Sequence, residues 1–306
     1  MDISSLLWHY NNAEAVASSI LPNRIIEASQ NAVFDRLGYP SRVSSIKELW
    51  KFADAMQEQR AQTTFSLLGE GLTEEEFSLF STIVKKVKGL TSSYCDRTIT
   101  PASSLLRAIL PFRAIRAFGE KRNILELGPG SGYLGALLLH SGYNYHSVEV
   151  SQGFALWQRL LFNSHEGGPC IPWWTWMTEP LEGFSLFTAN HALNEMHPWA
   201  LCFALRRAEA ASAPWVIESF GGEVISSNKQ TSSFFHKFNY LEAFRSPISF
   251  MMPKAKKPPI ALPLKLTRSW DDLLSVWGGS LPQTEDEHFF TQTLGPDFNS
   301  GRRTPQ

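Results

Sequence analysis

The chain has 306 residues, of which 43% are hydrophobic and 19% are charged, and its formal net charge is −1. This composition is typical of a globular protein with one large or two small domains. It disfavours nucleic acid as a partner, because phosphate recognition needs a clustered basic surface. The three cysteines, Cys95, Cys170 and Cys202, have neither a disulfide pattern nor a zinc-site spacing.

The sequence also lacks targeting and membrane signals. It contains no run of about 18 apolar residues, and the segment Met1–Leu7 has no basic flank followed by a long apolar core. We therefore expect a cytoplasmic protein without a membrane span.

Residues 1–120 are predicted to be helical, because they show no strand-like alternation. The segments Ser45–Glu48 and Thr73–Glu76 have the capping-box pattern and precede apolar residues at helical spacing. Gly89 is predicted to end the second of these helices, and a third is predicted to begin at Pro101. We expect this part of the chain to form a helical cap that borders the substrate or mediates dimerisation.

Between residues 121 and 292 strands alternate with helices, which predicts a doubly wound, Rossmann-like α/β sheet. The predicted strands are Asn123–Leu127, Tyr145–Val150, Cys170–Pro172, Phe184–Ala189 and Trp215–Ser219. The predicted helices are Tyr133–His140, Phe154–Phe162, Trp199–Ala211 and Phe234–Phe244. Residues 293–306 are predicted to be a flexible tail.

A glycine turn follows the first predicted strand. Gly128, Gly130 and Gly132 alternate, so the backbone can turn tightly and approach a ligand where a Cβ would collide. The sequence from Gly130 also satisfies the G-x-G-x-x-G pattern of nicotinamide and flavin proteins. Glu126, two residues before the first glycine, favours a different ligand: its carboxylate would repel a pyrophosphate and attract an ammonium group. Glu149, at the end of the second strand, can accept hydrogen bonds from a ribose diol.

The segment from Glu126 to Gly132 resembles motif I of the class I S-adenosylmethionine-dependent methyltransferases, whose pattern is acid-x-Gly-x-Gly-x-Gly. This resemblance implies S-adenosylmethionine as cofactor. It implies that Glu126 lies near the methionine amino group, that the glycines line the cofactor, and that Glu149 binds the ribose. It further places Asn190 near the cofactor and Trp176 against the adenine. A narrower resemblance, to bacterial sugar O-methyltransferases, rests on the helical amino-terminal third and the end of the fifth strand.

The candidate catalytic residues follow the fourth predicted strand, in the segment Asn190–Pro198. His191 and His197 are candidates for the base that takes a proton from the acceptor, with Glu195 or Asn194 available to orient an imidazole. The alternative is that these residues only end a strand and begin a helix. Glu218, at the end of the fifth strand, has no companion acids at metal-ligand spacing, so no metal site is predicted.

Four functions remain open at this point. The first is methyl transfer to a small molecule or a sugar hydroxyl, and the second is NAD(P)-dependent oxidation or reduction. The third is a scaffold that binds S-adenosylmethionine without turnover, and the fourth is methylation of a protein. The sequence does not choose among oxygen, nitrogen and carbon as the acceptor atom. It also leaves open whether the chain is a monomer or a homodimer.

Overall fold

The computed structural model describes residues 3–29, 41–54, 71–163, 168–178, 183–193, 195–218, 231–244, 248–259 and 264–278. Within these ranges no helix is both long and apolar enough to cross a membrane. The helices are α1 (Leu6–Ile20), α2 (Asn23–Ala28), α3 (Trp50–Ala53), α4 (Glu74–Tyr94), α5 (Ser103–Arg116), α6 (Tyr133–His140), α7 (Gln152–Phe162), α8 (Trp173–Trp176), α9 (Pro198–Ala210), α10 (Thr231–Lys237) and α11 (Trp270–Trp277).

The strands form a seven-stranded sheet in the order β3-β2-β1-β4-β5-β7-β6. They are β1 (Asn123–Leu127), β2 (Asn144–Glu149), β3 (Cys170–Pro172), β4 (Leu186–Asn190), β5 (Trp215–Glu218), β6 (Tyr240–Phe244) and β7 (Ile248–Pro253). Neighbouring strands are parallel except where β7 pairs with β5 and β6. The predicted α/β class with a doubly wound sheet is confirmed. The strand order reverses between β1 and β4, and ligands of such sheets bind at that point, beyond the carboxyl ends of the strands.

Alternate residues of the central strands enter two separate apolar clusters, one on each face of the sheet. Ile124 of β1 and Val216 of β5 belong to the cluster that also contains buried residues of α4, α5, α6 and α7. Leu125 of β1 and Ile217 of β5 belong to the cluster on the other face, with α9 and α10. Because side chains alternate along a strand, Glu126 and Glu218 lie on the first face, together with the amino-terminal helices.

The helical starts are partly as predicted. Thr73 and Glu76 form a complete capping box, with Glu76 N–H to Thr73 Oγ1 at 3.2 Å and Thr73 N–H to Glu76 Oε2 at 2.8 Å. At Ser45 the prediction was wrong: its Oγ accepts from Lys47 N–H, and only a short 3₁₀ turn follows before α3. The expected end at Gly89 was also wrong, because α4 continues to Tyr94 and buries Val87 before that glycine and Thr91 after it.

The carboxyl-terminal part of the fold differs from the sequence prediction at one helix. The segment Phe234–Phe244 divides into the end of α10 and the strand β6. Asn239 lies between them with φ +60°, a conformation that ends a helix and that asparagine tolerates. The predicted tail and the predicted end of the fifth strand at Ser219 lie outside the described residues.

Gly153, the second residue of α7, lies where Phe52 of α3 packs against that helix. An added Cβ would lie 2.1 Å from Cζ of the Phe52 side chain, which is buried and packs edge-on against Phe154. Gly153→Ala should therefore lower the free energy of unfolding by about 1–3 kcal/mol in chemical denaturation. Gly89→Ala is the matched control, because it meets nothing within 4 Å, and it should raise that free energy by about 0.5–1 kcal/mol. Equal effects of the two substitutions would contradict the packing described here.

Candidate active site

The glycine loop between β1 and α6 is shaped both by its own conformation and by its neighbours. Gly128, Gly130 and Gly132 all have positive φ, at 62°, 57° and 75°. A Cβ on Gly128 would lie 2.5 Å from Ala192 Cβ, and one on Gly132 would lie 2.8 Å from the Gln158 side chain. A Cβ on Gly130 would meet nothing within 4 Å. The middle of the loop therefore faces open space, whereas its two ends are packed against protein.

Side chains of α7 fix the carbonyl groups of this loop. Trp157 Nε1 donates to the Ser131 carbonyl at 3.1 Å, and Gln158 Nε2 donates to the Gly130 carbonyl at 2.7 Å. Gln158 is oriented in turn by Ser147 of β2, whose hydroxyl donates to Gln158 Oε1 at 3.0 Å. The loop is thus held in one conformation without help from a ligand.

Glu126 lies near the end of β1 with only 2% of its surface exposed. Tyr145 Oη donates to its Oε2 at 2.6 Å, and Asn190 Nδ2 donates to its Oε1 at 2.9 Å. Burial raises the pKa of Glu126 to about 7, since the desolvation of the carboxylate outweighs these two hydrogen bonds.

Glu149, at the end of β2, is the second buried acid of the site. Its Oε2 accepts from the Gly130 amide at 3.2 Å, and its Oε1 accepts from the Ser151 amide at 2.9 Å. Burial raises the pKa of Glu149 to about 7, although hydrogen bonds from the Ser151, Gly130 and Val150 amides favour the ionised form. The two acids therefore lie on either side of the glycine loop, as the sequence predicted.

Neither Glu126 nor Glu149 forms an ion pair with any described residue. An ionised carboxylate that is buried without a cation is unfavourable. The charge of Glu126 raises the pKa of Glu149 further, and the charge of Glu218 does the same to Glu126. A positively charged ligand at this position would remove that cost. The electrostatics of the site thus favour a cation and disfavour a pyrophosphate.

A third buried acid, Glu218 at the end of β5, does have cationic neighbours. Arg107 Nε of α5 lies 3.3 Å from Glu218 Oε1, and His191 Nε2 lies 3.7 Å from the same oxygen. Burial alone would raise the pKa of Glu218, but the His191 imidazole and the Arg107 guanidinium more than offset it, so that this pKa lies below its ordinary value. Glu218 is therefore an ionised acid beside a histidine.

The pairing of β4 with β5 explains how Asn190 and His191 reach this position. Asn190 lies opposite Glu218 in the sheet, and its Oδ1 accepts from the Glu218 amide at 3.2 Å while its Nδ2 binds Glu126. His191 follows with φ +57°, and its amide donates to the Glu218 carbonyl at 3.2 Å. A left-handed conformation is uncommon for a residue other than glycine and directs this imidazole back toward Glu218.

The other predicted site residues have local contacts of their own. His197 begins α9, where its Nδ1 accepts from the Trp199 amide at 3.2 Å, and Glu195 lies in the turn before it. Trp176 is 3% exposed and packs edge-on against Phe203, with ring centroids 5.1 Å apart. Its ring belongs to the core on the far face of the sheet and offers no open side for an adenine. Asn194 lies outside the described residues.

Sequence reasoning missed three residues of this site. Tyr145 and Gln158 act through neighbours in space rather than in sequence, and nothing in the local pattern distinguishes them from core residues. Arg107 did carry a signal, because it is a single charge within the apolar run Leu105–Leu110 of α5. A lone arginine at such a position is expected to have a buried acidic partner.

No protein-family model matches the sequence, and no curated protein matches it. Among solved structures, the mitomycin 7-O-methyltransferase MmcR is similar at 14% identity, with 72% of this chain and 75% of that chain covered and a TM-score of 0.35. The 1,6-didemethyltoxoflavin-N1-methyltransferase of Burkholderia thailandensis is similar at 20% identity, with 47% and 75% covered and a TM-score of 0.32. The [4+2]-cyclase SpnF is similar at 12% identity, with 57% and 75% covered and a TM-score of 0.34. At these TM-scores the likenesses carry no argument about activity.

The raised pKa of Glu126 predicts a pH dependence of stability. Between the ordinary value of 4.5 and the folded value of about 7, the folded state holds a proton that the unfolded state has lost. The free energy of unfolding therefore falls as the pH rises through this window. Glu126→Gln cannot titrate and so lacks this pH dependence. The free energy of unfolding of the variant minus that of the wild type should therefore increase by about 1–3 kcal/mol from pH 5 to pH 8, measured by chemical denaturation without ligand.

Glu27→Gln, a charge removal at an exposed position of α2, is the control for this comparison. A difference between Glu126→Gln and the wild type that is the same at both pH values would show that Glu126 does not titrate in this window.

Proposed function

We propose that the chain is an S-adenosylmethionine-dependent methyltransferase that acts on the hydroxyl of a small molecule or sugar. One observation carries the proposal: two buried acids, Glu126 and Glu149, lie on either side of a glycine loop whose middle faces open space, and neither has a cationic partner in the part of the chain that the structure describes. S-adenosylmethionine carries two positive charges, on its ammonium and sulfonium groups, which suit a site with buried acids. Its ribose diol can donate hydrogen bonds to one of these carboxylates. An NAD(P) pyrophosphate would bring negative charge to the same position.

Each part of the site has a role in holding this cofactor. Glu126 would attract the methionine ammonium, and Asn190 fixes the orientation of the Glu126 carboxylate at 2.9 Å. Gly130 leaves room for the ligand beside the loop. Glu149 would accept hydrogen bonds from the ribose hydroxyls. When bound, S-adenosylmethionine supplies a methyl group on a positively charged sulfur, which is activated for displacement.

We propose His191 as the base that removes the acceptor proton. The Glu218 carboxylate lies 3.7 Å from His191 Nε2, so it favours a proton on that nitrogen and leaves Nδ1 as the basic atom. His191 Nδ1 would accept the proton of the acceptor hydroxyl, and the Glu218 carboxylate beside Nε2 would face the positive charge that the imidazole then carries. Arg107 Nε lies 3.3 Å from the same Glu218 oxygen and helps to hold the carboxylate in place.

Calorimetric titration of the protein tests the cofactor. S-adenosylmethionine and S-adenosylhomocysteine should both bind in the micromolar range, and NAD should not bind. Glu149→Ala should weaken both by about ten-fold, or roughly 1.4 kcal/mol, because the ribose hydroxyls lose their acceptor. Glu120→Ala, at an exposed position before β1, is the control and should bind as the wild type does.

Binding of NAD in place of S-adenosylmethionine would overturn the proposal in favour of an oxidoreductase. Binding of S-adenosylmethionine without transfer to any acceptor in a broad screen would leave the scaffold function instead.

The two histidines can be compared by the same substitution. Asparagine tolerates the left-handed backbone at position 191 and caps a helix well at position 197, so both variants should fold. With an acceptor from a screen of hydroxylated small molecules and sugars, His191→Asn should lower the rate of labelled methyl transfer by about 100-fold or more. His197→Asn should retain the wild-type rate, and both should bind S-adenosylhomocysteine normally. Loss of transfer in His197→Asn alone would assign the base to that residue.

A further inference from the structure

The hydrogen bonds around Glu126 suit a neutral carboxyl group as well as an ionised one. Asn190 Nδ2, 2.9 Å from Glu126 Oε1, can only donate, so Oε1 is an acceptor in either state. Tyr145 Oη, 2.6 Å from Glu126 Oε2, belongs to a hydroxyl group, which can donate to a carboxylate or accept from a carboxylic acid. A proton can therefore lie on Oε2 without the loss of either contact.

The second buried acid, Glu149, has partners of another kind. Its Oε2 accepts from the Gly130 amide at 3.2 Å and its Oε1 from the Ser151 amide at 2.9 Å, and the Val150 amide also donates to this carboxylate. Backbone amides can only donate, and several donors on one carboxylate favour its ionised form. When these two interacting acids hold one proton between them, that proton is therefore on Glu126.

Among the described residues, the cations nearest to this part of the sheet face other groups. The Arg107 guanidinium of α5 and the His191 imidazole lie 3.3 and 3.7 Å from Glu218 Oε1. The Arg159 guanidinium of α7 lies over an aromatic ring of α1, 5.3 Å from the ring centroid. None of these three groups forms an ion pair with Glu126, whose two hydrogen-bond donors, an amide and a hydroxyl, are uncharged.

The remaining titratable neighbours disfavour an ionised Glu126. The charge of Glu218 raises the pKa of Glu126, and Glu126 and Glu149 oppose each other's ionisation. Helix α6 contributes Tyr133, whose hydroxyl donates to a carbonyl of α3, and His140, the last residue of that helix. Burial in these surroundings raises the pKa of Glu126 to about 7, in agreement with a proton on this carboxyl in the free protein.

We propose that Glu126 releases a proton when S-adenosylmethionine binds. In the free protein the Glu126 carboxyl is neutral, with its proton on Oε2. In the complex the ammonium group of the ligand supplies the positive charge, Glu126 is ionised, the Tyr145 hydroxyl donates to Oε2, and the proton passes to the solvent. This inference rests on the proposed function and adds to it that the affinity for the cofactor decreases as the pH falls.

Calorimetric titration with S-adenosylhomocysteine, in two buffers with different ionisation enthalpies, counts the protons that binding releases. The wild type should release close to one proton per ligand at pH 6 and only a small fraction at pH 8. Its affinity should be about ten-fold higher at pH 8 than at pH 6, because at the lower pH the proton competes with the ligand.

Glu126→Gln is the decisive variant, because glutamine can still accept from Asn190 Nδ2 but cannot titrate. It should release no proton and should bind S-adenosylhomocysteine equally well at both pH values. Glu120→Gln removes an exposed acid before β1 and is the matched control, which should behave as the wild type does.

A second ligand shows which part of the cofactor displaces the proton. The nucleoside 5′-methylthioadenosine has the adenine and the ribose but no amino acid part. It should bind to the wild type without proton release, because it brings no ammonium group to replace the proton. This comparison decides the question even if Glu126→Gln binds too weakly for calorimetry.

Three results would overturn the role of Glu126 while the proposed function stands. They are S-adenosylhomocysteine binding to the wild type without proton release at pH 6, undiminished release in Glu126→Gln, and equal release with 5′-methylthioadenosine. Failure of the wild type to bind S-adenosylhomocysteine at either pH would overturn both proposals.

Discussion

The burial of two carboxylates without a cation is the constraint around which this site is built. Glu126 and Glu149 are withdrawn from water by the strands that carry them, and neither has a cationic partner among the described residues. Hydrogen bonds from Tyr145, Asn190 and the backbone hold both groups in place, but they do not neutralise the charge. This arrangement makes the binding of a cationic ligand more favourable, because the ligand neutralises carboxylate charges that folding leaves buried and unpaired.

Much of the fold could be predicted because its signals are local. The strands β1 and β2, the glycine turn and the capping box at Thr73 depend on residues within a few positions of one another. The errors arise where distant contacts decide. Gly89 does not end α4, since packing of that helix outweighs the weak local preference of one glycine. The aromatic segment that ends at Phe244 becomes a strand because β7 pairs with it, which no local pattern reveals.

The same distinction applies to the site. Glu126 and Glu149 were found because they flank the glycine turn in the sequence as well as in space. The group formed by Arg107, His191 and Glu218 was not found as a group, since it depends on the register between β4 and β5 and on the docking of α5. Glu195 and Asn194 were the expected partners of a histidine, and the structure places Glu218, from a different strand, beside His191. The contacts of a residue cannot be predicted from its neighbours in sequence where three separate elements meet.

The contacts from α7 to the glycine loop constrain chain length as well as residue type. Trp157 and Gln158 reach the carbonyls of Ser131 and Gly130 only because they lie at fixed angular positions on the helix. One residue inserted earlier in α7 would rotate both side chains by about 100° around the helix axis. The loop would then lose the hydrogen bonds from both side chains, although all of its glycines would remain in place. Insertions and deletions in the first turns of α7 are therefore as damaging as those in the loop itself.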